Sequence, residues 1–235
     1  MKFIKKSLGI LLAIVLLYIG LLIYPNPLFS NKYTYENFTV YSDRVIPSEI
    51  ESVLDKTKQL LSKSEIYHPT DQFYIYFCNS SWRFQFFGRN KNAGGVVMGI
   101  LSGNVFIRIA DIKADKIIPP NGWMFNQKER PLSYFLAHEL THSCQAFMDR
   151  FMILKVTGYI MEGYADYIGK ANSFNYKRYC QEYLDQEAVM DPKNGLYNKY
   201  HLYIAYLMDK KEYTFEQIVA EQPELEAILQ EACRN

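Results

Sequence analysis

His138-Glu139-Leu140-Thr141-His142 sets two imidazoles four residues apart with a carboxylate between them. On a helix that spacing stacks both rings on one face, one turn apart, where they can share a metal ion, and Glu139 lands beside them. A carboxylate next to a zinc-bound water can take its proton and pass it to a leaving amine. The chemistry implied is peptide-bond hydrolysis with zinc as cofactor and Glu139 as general base. For the bare motif the competing reading is a helix carrying two surface histidines and a solvated glutamate. A zinc site needs a third protein ligand and one open position, so another His, Asp or Glu must come from a neighbouring element. Twenty residues after His142, the run Tyr159-Ile160-Met161-Glu162-Gly163-Tyr164-Ala165-Asp166-Tyr167 offers Glu162 from a second helix. Asp166 follows one turn later on the same face, placed to accept the second ring N–H of a histidine ligand and fix its tautomer. Gly163 and Ala165 are small enough to permit close helix approach.

These residues carry a resemblance. HELTH followed by E-G-x-A-D resembles the gluzincins, the thermolysin-like zinc peptidases, and especially small membrane-associated or secreted members with a short E-G-x-A-x-Y glutamate helix. His142-Ser143-Cys144-Gln145 is similar to the H-x-x-Q extension of that subgroup. The resemblance is confined to residues 131–170. It implies His138, His142 and Glu162 as zinc ligands, Glu139 as catalytic base and Asp166 as the carboxylate behind a histidine ligand. It further implies a downstream Tyr or His that stabilises the tetrahedral intermediate. Tyr200 and His201 are the nearest matches, although Tyr197, Tyr203 and Tyr206 recur around them at a helical spacing that suits packing. Metzincins are excluded, because Gln145 and Met148 stand where that pattern needs Gly and His. In zincins an edge strand ahead of the active helix pairs with extended substrate. Val105 to Ala110 is the matching segment, with Arg108 either at a subsite or solubilising the edge. His68, before Pro69, has no partner in sequence and reads as structural or solvated.

The elements that must hold these residues are legible in outline. Asn37 to Tyr41 reads as a strand. Pro47 opens a helix whose apolar stripe, Ile50, Val53, Leu54, Leu60 and Leu61, runs to about Ser64. Phe73 to Cys78 is a second strand, and Ser80 or Ser81 caps a short aromatic helix through Phe87. Val96 to Ile100 and Val105 to Ala110 are two more strands around a Ser-Gly-Asn turn. From Pro131 on the pattern is helical, with breaks near Gly158, at 191–195 and around Pro223. The expected fold is α+β: a zincin-like domain at 31–235, with a small mixed sheet and its helices above a zinc cleft and a helical lower lobe.

Residues 1–30 form a basic tip, an apolar segment and a linker. Lys2, Lys5 and Lys6 precede an uncharged stretch, Ser7 to Tyr24, and Pro25 and Pro27 end it. This reads as one transmembrane helix with a cytoplasmic N-terminus, which places the catalytic domain outside the cytoplasm. A cleaved secretory signal is the alternative, but no Ala-x-Ala site follows Tyr24. Cys78, Cys144, Cys180 and Cys233 match no metal motif, and their pairing is open. With 26 basic and 25 acidic residues and no run of either sign, nucleic acid is discounted as a partner. The expected partners are a peptide or protein substrate and the membrane. A catalytically inactive peptidase-like domain that binds a partner at the membrane is the main rival, and a zinc hydrolase of non-peptide bonds is a third.

Overall fold

Aromatic and β-branched runs pair across the chain because each leaves an apolar face that only another strand or helix can cover. A computed structural model describes residues 2–119, 130–171, 174–191 and 197–234, with side chains from residue 6. Its main sheet has five strands in the order β1 (Asn31–Tyr35), β2 (Phe38–Ser42), β3 (Phe73–Phe77), β5 (Val105–Ile107) and β4 (Gly95–Val97). The inner three run parallel and the outer two antiparallel to their neighbours, so the sheet is mixed.

Parallel strands demand cover on both faces. On one face Phe38, Val40, Phe73, Ile75 and Val105 join α2 (Ile50–Leu61) in the main core. On the other, Tyr41, Tyr76 and Phe106 pack under α3 (Ser81–Gly88) together with Leu22 of α1 (Lys2–Ile23). Within α1, Lys6–Ile23 is long and apolar enough to cross a membrane, a test that a signal sequence also passes.

After a short ribbon of β6 (Ala110–Asp111) and β7 (Lys116–Ile117), the described chain is helical. The elements are α4 (Leu132–Met148), α5 (Met152–Lys155), α6 (Gly158–Lys170), α7 (Tyr176–Leu184), α8 (Asn198–Asp209), α9 (Phe215–Glu221) and α10 (Leu225–Arg234). Helix α4 packs between α2 and α6, and α6 packs on α8. Gly163 allows that last approach: a Cβ there would lie 2.6 Å from the Tyr200 carbonyl oxygen. A Cys180–Cys233 disulfide ties α7 to α10 across 53 residues, a loop whose closure stabilises the fold by about 4 kcal/mol on the chain-entropy account. Cys78 and Cys144 are buried free thiols.

Several expected boundaries move. Strand β1 precedes the expected first strand and pairs with it through a turn at Glu36, whose φ is 49°, without the Gly that would have signalled a hairpin. The expected strand 96–100 ends at Val97, because Met98 accepts turn hydrogen bonds from Leu101, Ser102 and Gly103. The expected strand 105–110 divides at Arg108. It is also not an edge: β5 lies between β3 and β4, and among the described residues β4 is the edge strand on that side. Arg108 is correspondingly buried, donating to the carbonyls of Lys91 and Ala93, so it neither lines a subsite nor solubilises an edge. Of the expected helix breaks, residues 192–195 lie outside the described residues.

Candidate metal centre

His138 and His142 project from α4 one turn apart, with their ring centroids 4.9 Å apart and the rings nearly perpendicular. Glu162, from the second turn of α6, reaches between them: its Oε2 is 3.3 Å from His138 Nε2 and 3.6 Å from His142 Nε2. All three donor atoms fit within 4.8 Å of one another and can hold a metal ion. A tetrahedral ion with bonds of about 2.0–2.1 Å sets its ligands about 3.3–3.4 Å apart, close to the two separations found here.

The electrostatics suit a cation. Burial alone would push the His142 imidazole down, but the charge of Glu162 carries it up to about 9. Burial opposes ionisation of Glu162 too, yet the two histidines hold its carboxyl well below the usual range. The cluster thus sets an ionised carboxylate between two imidazole nitrogens, a charge arrangement that favours a cation. His142 Nδ1 lies 2.7 Å from Gln145 Oε1, and Gln145 Nε2 donates to the Met161 carbonyl. That anchored oxygen holds the proton on Nδ1 and turns Nε2 toward the ligand cluster. His138 Nδ1 is buried with no hydrogen-bond partner among the described residues.

Glu139 is 8% exposed, and burial raises its carboxyl pKa against the opposing charges of His138 and His142. It faces the edge strand: a Cβ on Gly95 would stand 2.5 Å from Glu139 Cγ. Glycine at 95 is what lets β4 pass this close to the carboxylate. The same cavity, about 670 Å³, contains His138, His142, Glu139 and Glu162 and is bounded by β4, the 98–101 turn, Arg130 and Tyr197.

Three expectations change. Asp166 touches neither His138 nor His142. It is fully buried one turn beyond Glu162, where it accepts from the Tyr134 hydroxyl and lies 2.7 Å from Lys170 Nζ and 3.0 Å from His201 Nδ1. Tyr134 itself stands one turn before His138, so the four-residue step that aligned Asp166 with Glu162 also carried it out of the ligand layer. His201 is 1% exposed, stacked on Phe174 and committed to Asp166, with burial lowering its pKa. Its ring is outside the cavity. Tyr200 is also absent from the cavity wall, and its carbonyl packs on Gly163.

The tyrosine at the site is Tyr197. Its ring stacks on His138 at 5.7 Å and 10°, and burial, followed by the charges of Glu162 and Glu139, raises its hydroxyl pKa. It precedes α8 with φ 51°, a left-handed conformation costly for a bulky side chain and the kind of local strain concentrated at working sites. Spacing could not single it out among the neighbouring tyrosines. His68 lies exposed in its loop, in keeping with the solvated reading.

In comparisons with known proteins, the chain matches no family model, no curated protein and no solved structure.

Proposed function

We infer that this chain is a zinc-dependent peptide-bond hydrolase of gluzincin type, anchored by α1 with its site on the side of the membrane opposite its lysine-flanked N-terminus. The observation that carries the reading is the convergence of the His138, His142 and Glu162 donors, at separations suited to a tetrahedral ion, in one cavity with Glu139. Two imidazoles and one carboxylate with an open position are a donor set that suits catalytic zinc. Zinc bound there would polarise a water and the scissile carbonyl.

The chain's own residues supply the rest. Glu139, its pKa raised by burial, accepts a proton and returns it to the leaving nitrogen. Among the described residues β4 pairs with β5 only, so its outer edge can receive an extended peptide through main-chain hydrogen bonds. That edge borders the same cavity, which puts a paired backbone beside Glu139. Tyr197, in the cavity wall with its ring stacked on His138, supplies a hydroxyl donor for charge developing on the carbonyl oxygen. The mixed sheet followed by helices is an α+β architecture that a zincin-like domain would have, and the presence of Glu139 favours a hydrolase over an inactive binding domain.

Metal analysis of the full chain in detergent, coupled to cleavage of a quenched peptide library, tests the reading. One zinc per chain is expected, with hydrolysis lost to a chelator and restored by zinc. Equal cleavage by metal-free and zinc-loaded protein would remove zinc from the mechanism, and zinc binding without cleavage of any peptide would leave the binding-domain alternative.

A further inference from the structure

The apolar helix does not merely precede the domain; its last turns are built into it. Tyr18 donates to the Phe86 carbonyl at 2.7 Å and packs edge-on against the Phe86 ring. Leu22 is buried beneath α3, and Asn104 Nδ2 donates to the carbonyls of both Leu22 and Ile23 at 3.0 Å. Tyr18 to Ile23 covers about 7.5 Å of helix axis. The candidate span Lys6–Ile23 has 18 residues, or about 27 Å, against a hydrocarbon core of about 30 Å. A span already that short cannot give its last turns to the domain and still hold the domain clear of the bilayer. The elements gripping it must themselves enter the interfacial layer.

Those elements suit that place. Helix α3 presents Trp82 at 65% exposure and Phe86 at 37% beside the span. Tryptophan favours this depth. Residues 72–110 include Arg83, Arg89, Lys91 and Arg108 but no Asp or Glu, and Arg89 and Lys91 are exposed, which matches anionic headgroups. The 98–104 turn then links the span to the cavity. Asn104 grips the end of α1, while the Leu101 carbonyl accepts from Arg150 at 2.9 Å and the Gly103 carbonyl from Ser143 at 2.9 Å. Next to Arg150 rises a ridge of Phe151, Ile153 and Leu154, 51%, 64% and 73% exposed. Ile100, Leu101, Arg150 and Ile153 all line the cavity.

We propose that α3 and the 151–154 ridge seat the domain on the lipid surface, so that the cleft opens at the bilayer and takes extended peptide segments lying at or emerging from the membrane interface. This rests on Lys6–Ile23 being a retained span, and its substrate class rests on the hydrolase reading.

The test uses the full chain reconstituted in vesicles of phosphatidylcholine and phosphatidylglycerol, with or without brominated acyl chains. A Trp123→Phe variant leaves Trp82 as the single tryptophan. An environment-sensitive label goes on Leu154→Cys, or on Glu216→Cys in α9, which packs behind α6. Cys78 and Cys144 are buried and Cys180 and Cys233 are bonded to each other, so the introduced thiol is the reactive one among the described residues. Bromolipid should quench Trp82 and the label at 154 and spare the label at 216. Quenching absent at both positions, in protein that resists alkaline extraction, would refute the seating while leaving the anchor intact. Release of the protein by alkali would defeat the anchor and the seating together. For the substrate class, Phe151→Glu with Leu154→Glu should reduce cleavage of a vesicle-tethered peptide about tenfold and leave a soluble peptide unaffected. Equal loss on both peptides overturns that assignment, and so does cleavage of neither, which would also end the hydrolase reading while the quenching still decides the seating.

Discussion

Gly95→Ala tests the proposed division of labour at the site with a single methyl group. The added Cβ would stand 2.5 Å from Glu139 Cγ and 2.9 Å from both Cδ and Oε1. Carbon atoms in contact prefer about 3.5–4.0 Å, so one partner must retreat by about 1 Å. Residue 95 is held by pairing with Ile107, and backbone yields less readily than a side chain. Glu139 therefore moves. A displacement of about 1 Å in a group that must line up with the reacting atoms costs about a hundredfold in rate. Zinc content should not change, because His138, His142 and Glu162 are untouched. Gly99→Ala supplies the control: its Cβ would meet Ala146 at an ordinary 3.5 Å in the same cavity wall. Both variants would be assayed for kcat/KM on the best peptide of the library, with metal content and thermal unfolding alongside. If Gly95→Ala cleaves like the parent with Glu139 still in the reaction, Glu139 is not held against β4. If it loses zinc and activity together, the damage is to the ligand layer and the assignment of Glu139 to proton transfer alone fails.

Other variants divide the remaining roles. Glu139→Gln should keep zinc while turnover falls by about a hundredfold or more, whereas Glu162→Ala should lose metal and activity together; parent-like turnover in Glu139→Gln would exclude it as the base. Gln145→Ala, by freeing the His142 tautomer, should weaken zinc binding about ten- to a hundredfold in a chelator competition. Tyr197→Phe should reduce kcat about tenfold or more with zinc content unchanged, and no change in kcat would remove its hydroxyl from the reaction. In the metal-free protein, the raised His142 contributes stability that is present below its ordinary 6.5 and lost as pH rises through about 9, a change of about 3 kcal/mol. The Tm of metal-free protein should therefore fall by several degrees across that window while zinc affinity rises, and a flat Tm would refute the His142–Glu162 pairing.

What could be read from the sequence were the features that depend on local spacing. The i, i+4 histidines and the acidic helix twenty residues on depend on helical periodicity, the N-terminal segment on an unbroken apolar run, and the structure brings His138, His142 and Glu162 together. Strands β2, β3, β4 and β5 were readable from their β-rich runs, but β1 was not, and neither was strand order. With β4 at the edge, Arg108 turns inward to the Lys91 and Ala93 carbonyls, tertiary hydrogen bonds that no alternation pattern encodes. Tyr197 and Tyr200 look equivalent as sequence. Only the left-handed backbone at 197 aims one of them at His138. Gln145 was visible as part of a motif, yet its function required knowing that its amide is pinned by the Met161 carbonyl.

The misplacement of Asp166 explains how the site is held. A carboxylate behind a histidine ligand would tune that ligand, but Asp166 instead joins three helices: Tyr134 from α4, Lys170 from its own α6, and His201 from α8. Burial would raise its carboxyl, but the Lys170 charge and the His201 hydrogen bond hold it well below the usual range, so the group stays ionised in the core. Removing one partner from such a buried pair costs about 3–5 kcal/mol. The tie lies one turn from Glu162 on α6 and one turn from His138 on α4. It therefore fixes the relative register of the two helices whose donors must meet within 3.3 Å. Asp166→Asn should accordingly lower Tm by several degrees and weaken zinc only as the helices loosen, whereas Gln145→Ala should weaken zinc with little change in Tm. If Asp166→Asn instead lost zinc in a fold as stable as the parent, the carboxylate would be acting on the ligand histidines after all.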